Sequence, residues 1–138
     1  MTHPAAPLSI DRGAIAHGAV TAAVIAVPAA VVSAVVDQSS SLRGLMLLVT
    51  VLGMVAGGFV AGRDVPERAL VHGGVAALVV YVTVQTVGAV LRLARGASVA
   101  WLTYPVLALL SISCGIMGGY LAFRRAGPPT QTFQGDPE

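Results

Sequence analysis

The stretch Gly53–Gly74, GMVAGGFVAGRDVPERALVHGG, decides the fold of this chain. A glycine-rich apolar run ends at Arg63, the six residues RDVPER carry four charges, and a second apolar run begins at Ala69. A short charged turn between two long apolar runs is typical of a helical hairpin that crosses a membrane. The competing interpretation is a phosphate-binding glycine loop, which needs a preceding strand and usually a following lysine. The chain has no lysine, and its surroundings here are apolar on both sides.

The composition favours the membrane interpretation. Of the 138 residues, 56% are hydrophobic and only 10% are charged, whereas a soluble domain carries about 25% charged residues. The mean hydropathy is +0.83. Because a helix needs about 20 apolar residues to cross the hydrocarbon, the uncharged blocks predict an all-α membrane protein with four transmembrane helices. The predicted spans are about 14–36, 44–62, 69–91 and 98–123.

These spans form one predicted membrane domain, 13–125, between two tails. The tails, 1–12 and 126–138, are rich in Pro, Thr and Gln, which predicts disorder. Five arginines flank the side that carries both tails and three flank the other: Arg12, Arg63, Arg68, Arg124 and Arg125 against Arg43, Arg92 and Arg95. Since cytoplasmic loops are enriched in basic residues, we expect a multi-pass protein of the plasma membrane with both termini in the cytoplasm.

A two-helix unit occurs twice in the sequence. AIAHGAVTAAVIAV from Ala14 aligns without gaps on ALVHGGVAALVVYV from Ala69, and MVAGGFVAGRD from Met54 aligns on GIMGGYLAFRR from Gly115. The pattern predicts two tandem hairpins in a parallel internal repeat. Because each hairpin has an even number of spans, we expect the copies to be related by a pseudo-two-fold axis along the membrane normal.

The glycines of this pattern are predicted to be helix-packing positions. Gly53 and Gly57, like Gly58 and Gly62, are four residues apart, so each pair lies along one helix face. In lipid, helices associate by close backbone approach over such small residues. The predicted packing set is Gly53, Gly57, Gly58, Gly62, Gly73, Gly74, Gly118 and Gly119, with Gly18 extending it into the first span.

Three polar side chains within the spans are candidates for a polar or proton-relay site. His17 and His72 occupy matching positions of the repeat, about one turn inside their spans, and Gln85 lies deeper. Ionisable groups in membrane helices are often functional, and two histidines could face each other across the axis. The alternative is that each side chain only forms an interhelical hydrogen bond, and the shallow depth of the two histidines favours it for them.

Other chemistry has little support in the sequence. Ser111, Ser113 and Cys114 have no histidine or carboxylate in their own span, so we expect no catalytic residues and no enzyme activity. Two histidines without a further ligand make a poor metal site, and we expect neither metal nor cofactor. There is no basic face with interleaved aromatics, so nucleic acid is not an expected partner. The expected partners are the lipid bilayer and a second copy or a larger membrane complex.

The central motif resembles a known family. The order Gly-Gly-aromatic-x-Ala-Gly-Arg, a short turn and His-Gly resembles the YrzE-like small four-helix membrane proteins of Gram-positive bacteria. The residues that carry the resemblance are Gly57, Gly58, Phe59, Ala61, Gly62, Arg63, His72 and Gly73. It implies an integral membrane protein with no assigned activity. Two functions are therefore considered: a structural or interaction protein, such as a subunit or scaffold, and a minimal channel or transporter that uses the paired histidines.

Overall fold

The computed structural model describes residues 10–35, 41–94, 96 and 101–127. Within these residues the chain is all-helical: four long helices and one short 3₁₀ turn, without strands. The elements are α1 (Arg12–Val35), α2 (Ser41–Asp64), the 3₁₀ turn Pro66–Arg68, α3 (Ala69–Ala94) and α4 (Thr103–Ala126). All four helices are long and apolar enough to cross a membrane. The prediction of a four-helix, all-α membrane protein is confirmed.

The helices end where the local chemistry stops them. Val65, between α2 and the 3₁₀ turn, has φ −136° and ψ 76°, outside the helical region that a following proline disfavours. Gly127 follows α4 with a φ of 73°, a backbone conformation that glycine adopts without strain. Gly96 also has a positive φ and donates its N–H to the Leu93 carbonyl, which closes the end of α3.

The observed helix ends differ from the predicted spans by a few residues. α1 begins at Arg12, inside the predicted tail, and α4 starts at Thr103 instead of near residue 98. Most of both predicted tails lies outside the described residues. Pro105 lies in the first turn of α4, where no intrahelical N–H is needed. Pro28 lies inside α1, and the helix continues past it to Val35.

The helices pack as two antiparallel hairpins side by side. Gly18 near the start of α1 meets Gly57 and Ala61 near the end of α2, and Gly74 near the start of α3 meets Ile116 near the end of α4. α2 contacts all three other helices, as does α3. The starts of α1 and α3 and the ends of α2 and α4 therefore lie together, and we call this the basic end of the bundle. The opposite end is called the distal end.

The contacts between hairpins are not two-fold symmetric. An axis along the membrane normal would make the α2–α3 contact reappear between α4 and α1, but these two helices make no contact among the described residues. α1 lies beside α3 and α2 beside α4, so the second hairpin is displaced sideways from the first. The predicted pseudo-two-fold axis does not describe this packing, because α4 contacts both α2 and α3 through Gly115 while α1 packs on their other side.

Burial is concentrated toward the basic end and the middle of the bundle. The core is built mainly of alanine and glycine, with Met54, Tyr81 and Cys114 forming an apolar cluster at mid-depth. In the distal half, no described side chain is buried between Ser41 and Leu52 of α2 or between Val82 and Ala94 of α3. The two halves of the bundle thus differ sharply in how closely the helices approach.

Candidate functional site

The basic end gathers most of the charged and titratable groups of the described chain. Asp11 precedes α1, Asp64 ends α2, Glu67 and Arg68 belong to the 3₁₀ turn, and His17 and His72 lie in the first turns of α1 and α3. The arginines Arg12, Arg63, Arg68, Arg124 and Arg125 are at the same end. The antiparallel hairpins bring these groups together, since each contributes one helix start and one helix end here.

His72 is the largest completely buried side chain among the described residues, only 1% exposed. Both ring nitrogens are hydrogen-bonded. The backbone N–H of Asp11 donates to Nε2 at 3.0 Å, and Nδ1 lies 3.1 Å from the Arg68 carbonyl oxygen. Because an amide N–H can only donate and a carbonyl can only accept, Nδ1 carries the hydrogen and the imidazole is neutral. Burying the ring is tolerated because each nitrogen has a partner.

Asp11 is the N-cap of α1, which the sequence analysis did not identify. Its Oδ1 accepts hydrogen bonds from the backbone N–H groups of Gly13 at 2.8 Å and Ala14 at 3.2 Å. These are the second and third helical positions, the donors that an N-cap side chain usually satisfies. An aspartate immediately before an apolar helical run is a recognised start signal, so the sequence contained the information. Asp11 thereby connects the start of α1 to His72 of α3.

His17 has a different environment. Its side chain is 77% exposed, and Nδ1 donates to Oδ2 of Asp64 at 3.1 Å. The other carboxylate oxygen of Asp64 is 4.0 Å from Nε of Arg63. This pair links the first turn of α1 to the last turn of α2 at the surface. An exposed pair of this kind contributes little stability, about 0–1 kcal/mol.

The structure does not bring the three candidate polar residues together. His72 uses both nitrogens on Asp11 and Arg68, so it has none left for His17. Gln85 lies in the distal half, one turn beyond Tyr81, and is only half-buried. The hydroxyl of Tyr81 donates to the backbone carbonyl of Tyr104 at 2.6 Å, an α3–α4 contact that the sequence analysis missed.

The glycines of the first hairpin lie against the backbone of neighbouring helices. A methyl group added to Gly57 would lie within 3.0 Å of the Gly18 carbonyl and of the Ala22 side chain. One added to Gly53 would lie 2.9 Å from a methyl of Ile25, and the nearest backbone atom, the Ala26 nitrogen, would be 3.4 Å away. α1 and α2 therefore approach most closely near the basic end.

The second hairpin is joined to α2 at a point where three helices meet. A methyl group at either Gly58 of α2 or Gly73 of α3 would collide with the carbonyl oxygen of Gly115 in α4. A second contact between α2 and α4 lies at Gly62, where an added methyl group would be 2.9 Å from Cα of Gly119. Gly115 is not in the predicted set, although its four-residue spacing to Gly119 is the same signal that identified the others.

Two predicted glycines have more particular neighbours. An added methyl at Gly118 would collide with the Val55 carbonyl and the Phe59 amide, so Gly118 faces α2. Gly74 meets only isoleucine side chains, Ile116 at 3.1 Å and Ile112 at 3.7 Å. Gly57 of α2 faces the carbonyl of a glycine in α1 and an alanine one turn further along that helix. Gly115 of α4 faces the equivalent pair in α3, so the two glycines occupy corresponding positions in their hairpins. The sequence alignment paired Gly57 with Gly118, three residues further.

A cavity of 340 Å³ opens at the basic end among the described residues. It is lined by Ile10, Asp11, Val65, Glu67 and Arg68. Asp11 and Glu67 supply carboxylates and Arg68 a guanidinium, but the described part of the chain contains no group of three His, Cys, Asp or Glu side chains that could hold a metal ion. The arrangement offers hydrogen bonding and charge, without a nucleophile beside a base.

The fold and these contacts define a class: a small polytopic helical membrane protein in which polar residues at the ends of different helices are joined by hydrogen bonds. The family model described as "Protein of unknown function (DUF3792)" matches residues 8–122. The chain belongs to this family, which is uncharacterised. No curated protein and no solved structure matches the chain.

Proposed function

We propose that this chain is a structural or interaction protein of the membrane, a subunit or scaffold that associates with a second copy or with a larger complex and has no catalytic activity. The proposal is supported by the use of its polar groups. His72, Asp11, Tyr81 and the His17–Asp64 pair all form hydrogen bonds between helices. Groups engaged in this way hold the bundle together and are not arranged around a substrate.

The observation that carries the proposal is the contrast between the two halves of the bundle. Near the basic end, the glycines of all four helices have neighbouring backbone or side-chain atoms at close contact. In the distal half, a methyl group added to Gly44 of α2 would meet nothing within 4 Å, and at Gly88 of α3 only Oε1 of Gln85, at 4.0 Å. Small residues on a membrane helix favour a neighbouring helix, and the described part of the chain supplies none at these two glycines.

Gly88 provides a direct test. In a Cys114→Ala background, which removes the only cysteine, Gly88→Cys is oxidised in native membranes. We expect a disulfide-linked dimer if a second copy covers this face. The matched control is Val90→Cys, because two residues correspond to about 200° around the helix at nearly the same depth. Purification in mild detergent with mass determination then identifies a heterologous partner. A monomer in detergent with no cross-link at either position would contradict the proposal.

A minimal channel or transporter is the second function considered from the sequence, and it relied on His17 and His72 acting together. Their separate hydrogen bonds weaken that argument, since His72 has no free ring nitrogen. The test is proton flux in proteoliposomes with the folded double variant His17→Ala, His72→Ala. A loss of flux relative to the unmodified chain would favour transport over the structural role.

We also propose that the protein resides in the plasma membrane with its basic end in the cytoplasm. The five arginines at this end support that orientation. Reporter fusions after residue 138 and between Val35 of α1 and Ser41 of α2 test it: a cytoplasmic reporter should be active only at the first. The motif from Gly57 to Arg63 further supports a relationship to the YrzE-like proteins, which a solved structure of one of them with the same α2–α4 glycine contacts would strengthen.

A further inference from the structure

The ends of α2 and α4 are held side by side at the basic end. Gly58 meets Gly115 and Gly62 meets Gly119, so the two helices run in the same direction in a fixed register. In this register Arg124 and Arg125 lie four and five residues beyond the level of Arg63, roughly 6–8 Å along the bundle at 1.5 Å per residue. The two parallel helices therefore bring three arginines to the same end of the bundle.

These arginines are not neutralised by the described acids. Arg63 is 69% exposed, and its nearest carboxylate oxygen, on Asp64, is at the 4.0 Å limit of an ion pair. Asp64 directs its other oxygen to His17. Neither Arg124 nor Arg125 forms an ion pair with an acid in the described ranges. The C-termini of α2 and α4 carry partial negative charge, which offsets only part of the positive charge of these arginines.

One of the three is also held in position across the helix interface. The guanidinium carbon of Arg125 lies 5.2 Å from the centroid of the Phe59 ring in α2. A cation at this distance from an aromatic face is attracted to it. Arg125 therefore presents a partly ordered fork, which suits a phosphate better than a freely moving side chain does.

The depth of this cluster identifies the anion. The side chains just before it on α4, Tyr120, Leu121 and Phe123, are large and between 42% and 48% exposed, as expected for a lipid-facing surface. Arg124 and Arg125 follow where that surface ends, at the level where acyl chains give way to phosphates. We propose that Arg63, Arg124 and Arg125 form a binding site for the phosphate-bearing headgroup of an anionic phospholipid.

The test measures lipid-dependent thermal stabilisation of the full-length protein in detergent. Dioleoylphosphatidylglycerol is titrated against dioleoylphosphatidylcholine, which has the same chains with a zwitterionic headgroup, and against sodium phosphate. We expect phosphatidylglycerol alone to raise the midpoint. Its half-saturating concentration should increase about fivefold in Arg124→Gln and in Arg125→Gln, the effect of one arginine near an anionic surface.

The matched control is Arg12→Gln, at the same end but on α1, which makes no contact with α4. It should change the half-saturating concentration less than about twofold, since an isolated charge at a distance is screened. Arg125→Lys serves if Arg125→Gln does not fold, and it should still weaken binding through the lost fork. The proposal would be overturned if Arg12→Gln weakened lipid binding as much as Arg124→Gln and Arg125→Gln do. It would also be overturned if sodium phosphate stabilised the protein as much as phosphatidylglycerol, or if phosphatidylglycerol did not stabilise it.

Discussion

The backbone N–H of Asp11 donates a hydrogen bond to Nε2 of His72, 61 positions away in the chain. Through this bond the start of α1 is attached to the start of α3. The same imidazole donates from Nδ1 to Arg68 in the preceding turn. One buried ring therefore connects the two hairpins and the turn between them, in a bundle whose core is otherwise mainly alanine and glycine.

Replacing this ring should destabilise the bundle more than replacing its counterpart in the repeat. His72→Ala leaves the Asp11 N–H and the Arg68 carbonyl without their partner, which costs about 1–3 kcal/mol. His17→Ala removes an exposed pair and should cost less than about 1 kcal/mol. Unfolding midpoints of the two variants in the same detergent check this, and equal losses would contradict the assigned difference.

The side chain of Asp11 has a separate role from its backbone. Asp11→Ala keeps the N–H that binds His72 but removes the cap of α1, and we expect a loss of about 0.5–2 kcal/mol. Asp11→Asn retains the acceptor oxygen and should restore most of the stability. The unfolding free energy in detergent measures both; if the asparagine variant is as unstable as the alanine variant, negative charge at the helix start is responsible and capping is not.

The helices were predictable because charge marks their ends. Arg12, Arg63 and Arg68 lie beside long uncharged blocks, and no soluble fold would accept uncharged blocks of this length. The ends moved by several residues because caps such as Asp11 and Gly127 act locally. Those caps can be read only after the helix itself has been recognised.

The arrangement of the helices was harder to predict, because lipid-facing and buried surfaces are both apolar. Size carries the remaining signal. In α1, Ala22 and Ala26 are buried, whereas Val20 and Val24 are exposed. The repeat suggested a symmetric bundle. The glycine at position 115, however, lets α4 contact α2 and α3 at the same point. A pairwise alignment of the two hairpins does not reveal such a three-helix contact.

The meeting point of three helices should be intolerant of a single methyl group. Gly115→Ala places its Cβ against the Gly73 carbonyl and the Ala77 side chain, and backbone there cannot yield as a side chain can. We expect a loss of about 1–3 kcal/mol, typical of overpacking. Gly44→Ala is the control, measured in detergent that separates the chain from any partner, since an added methyl there meets nothing within 4 Å in the described chain. Comparing their denaturation in detergent decides the point, and two equally stable variants would mean that the helices separate at low cost.

The hydroxyl of Tyr81 should stabilise the packing of α3 against α4 on the distal side of the glycine contacts. It donates to the Tyr104 carbonyl at 2.6 Å, and the Tyr81 ring is buried beside Met54 and Cys114. Tyr81→Phe keeps the ring and removes only the hydrogen bond, so the expected loss is about 0.5–1.5 kcal/mol. Because the bond lies in the first turn of α4, hydrogen exchange should rise there first and leave the basic end protected.

Tyr120→Phe, at an exposed position, provides the control and should change neither the stability nor the hydrogen exchange. Faster exchange at the basic end in Tyr81→Phe would show that the two halves of the bundle unfold together.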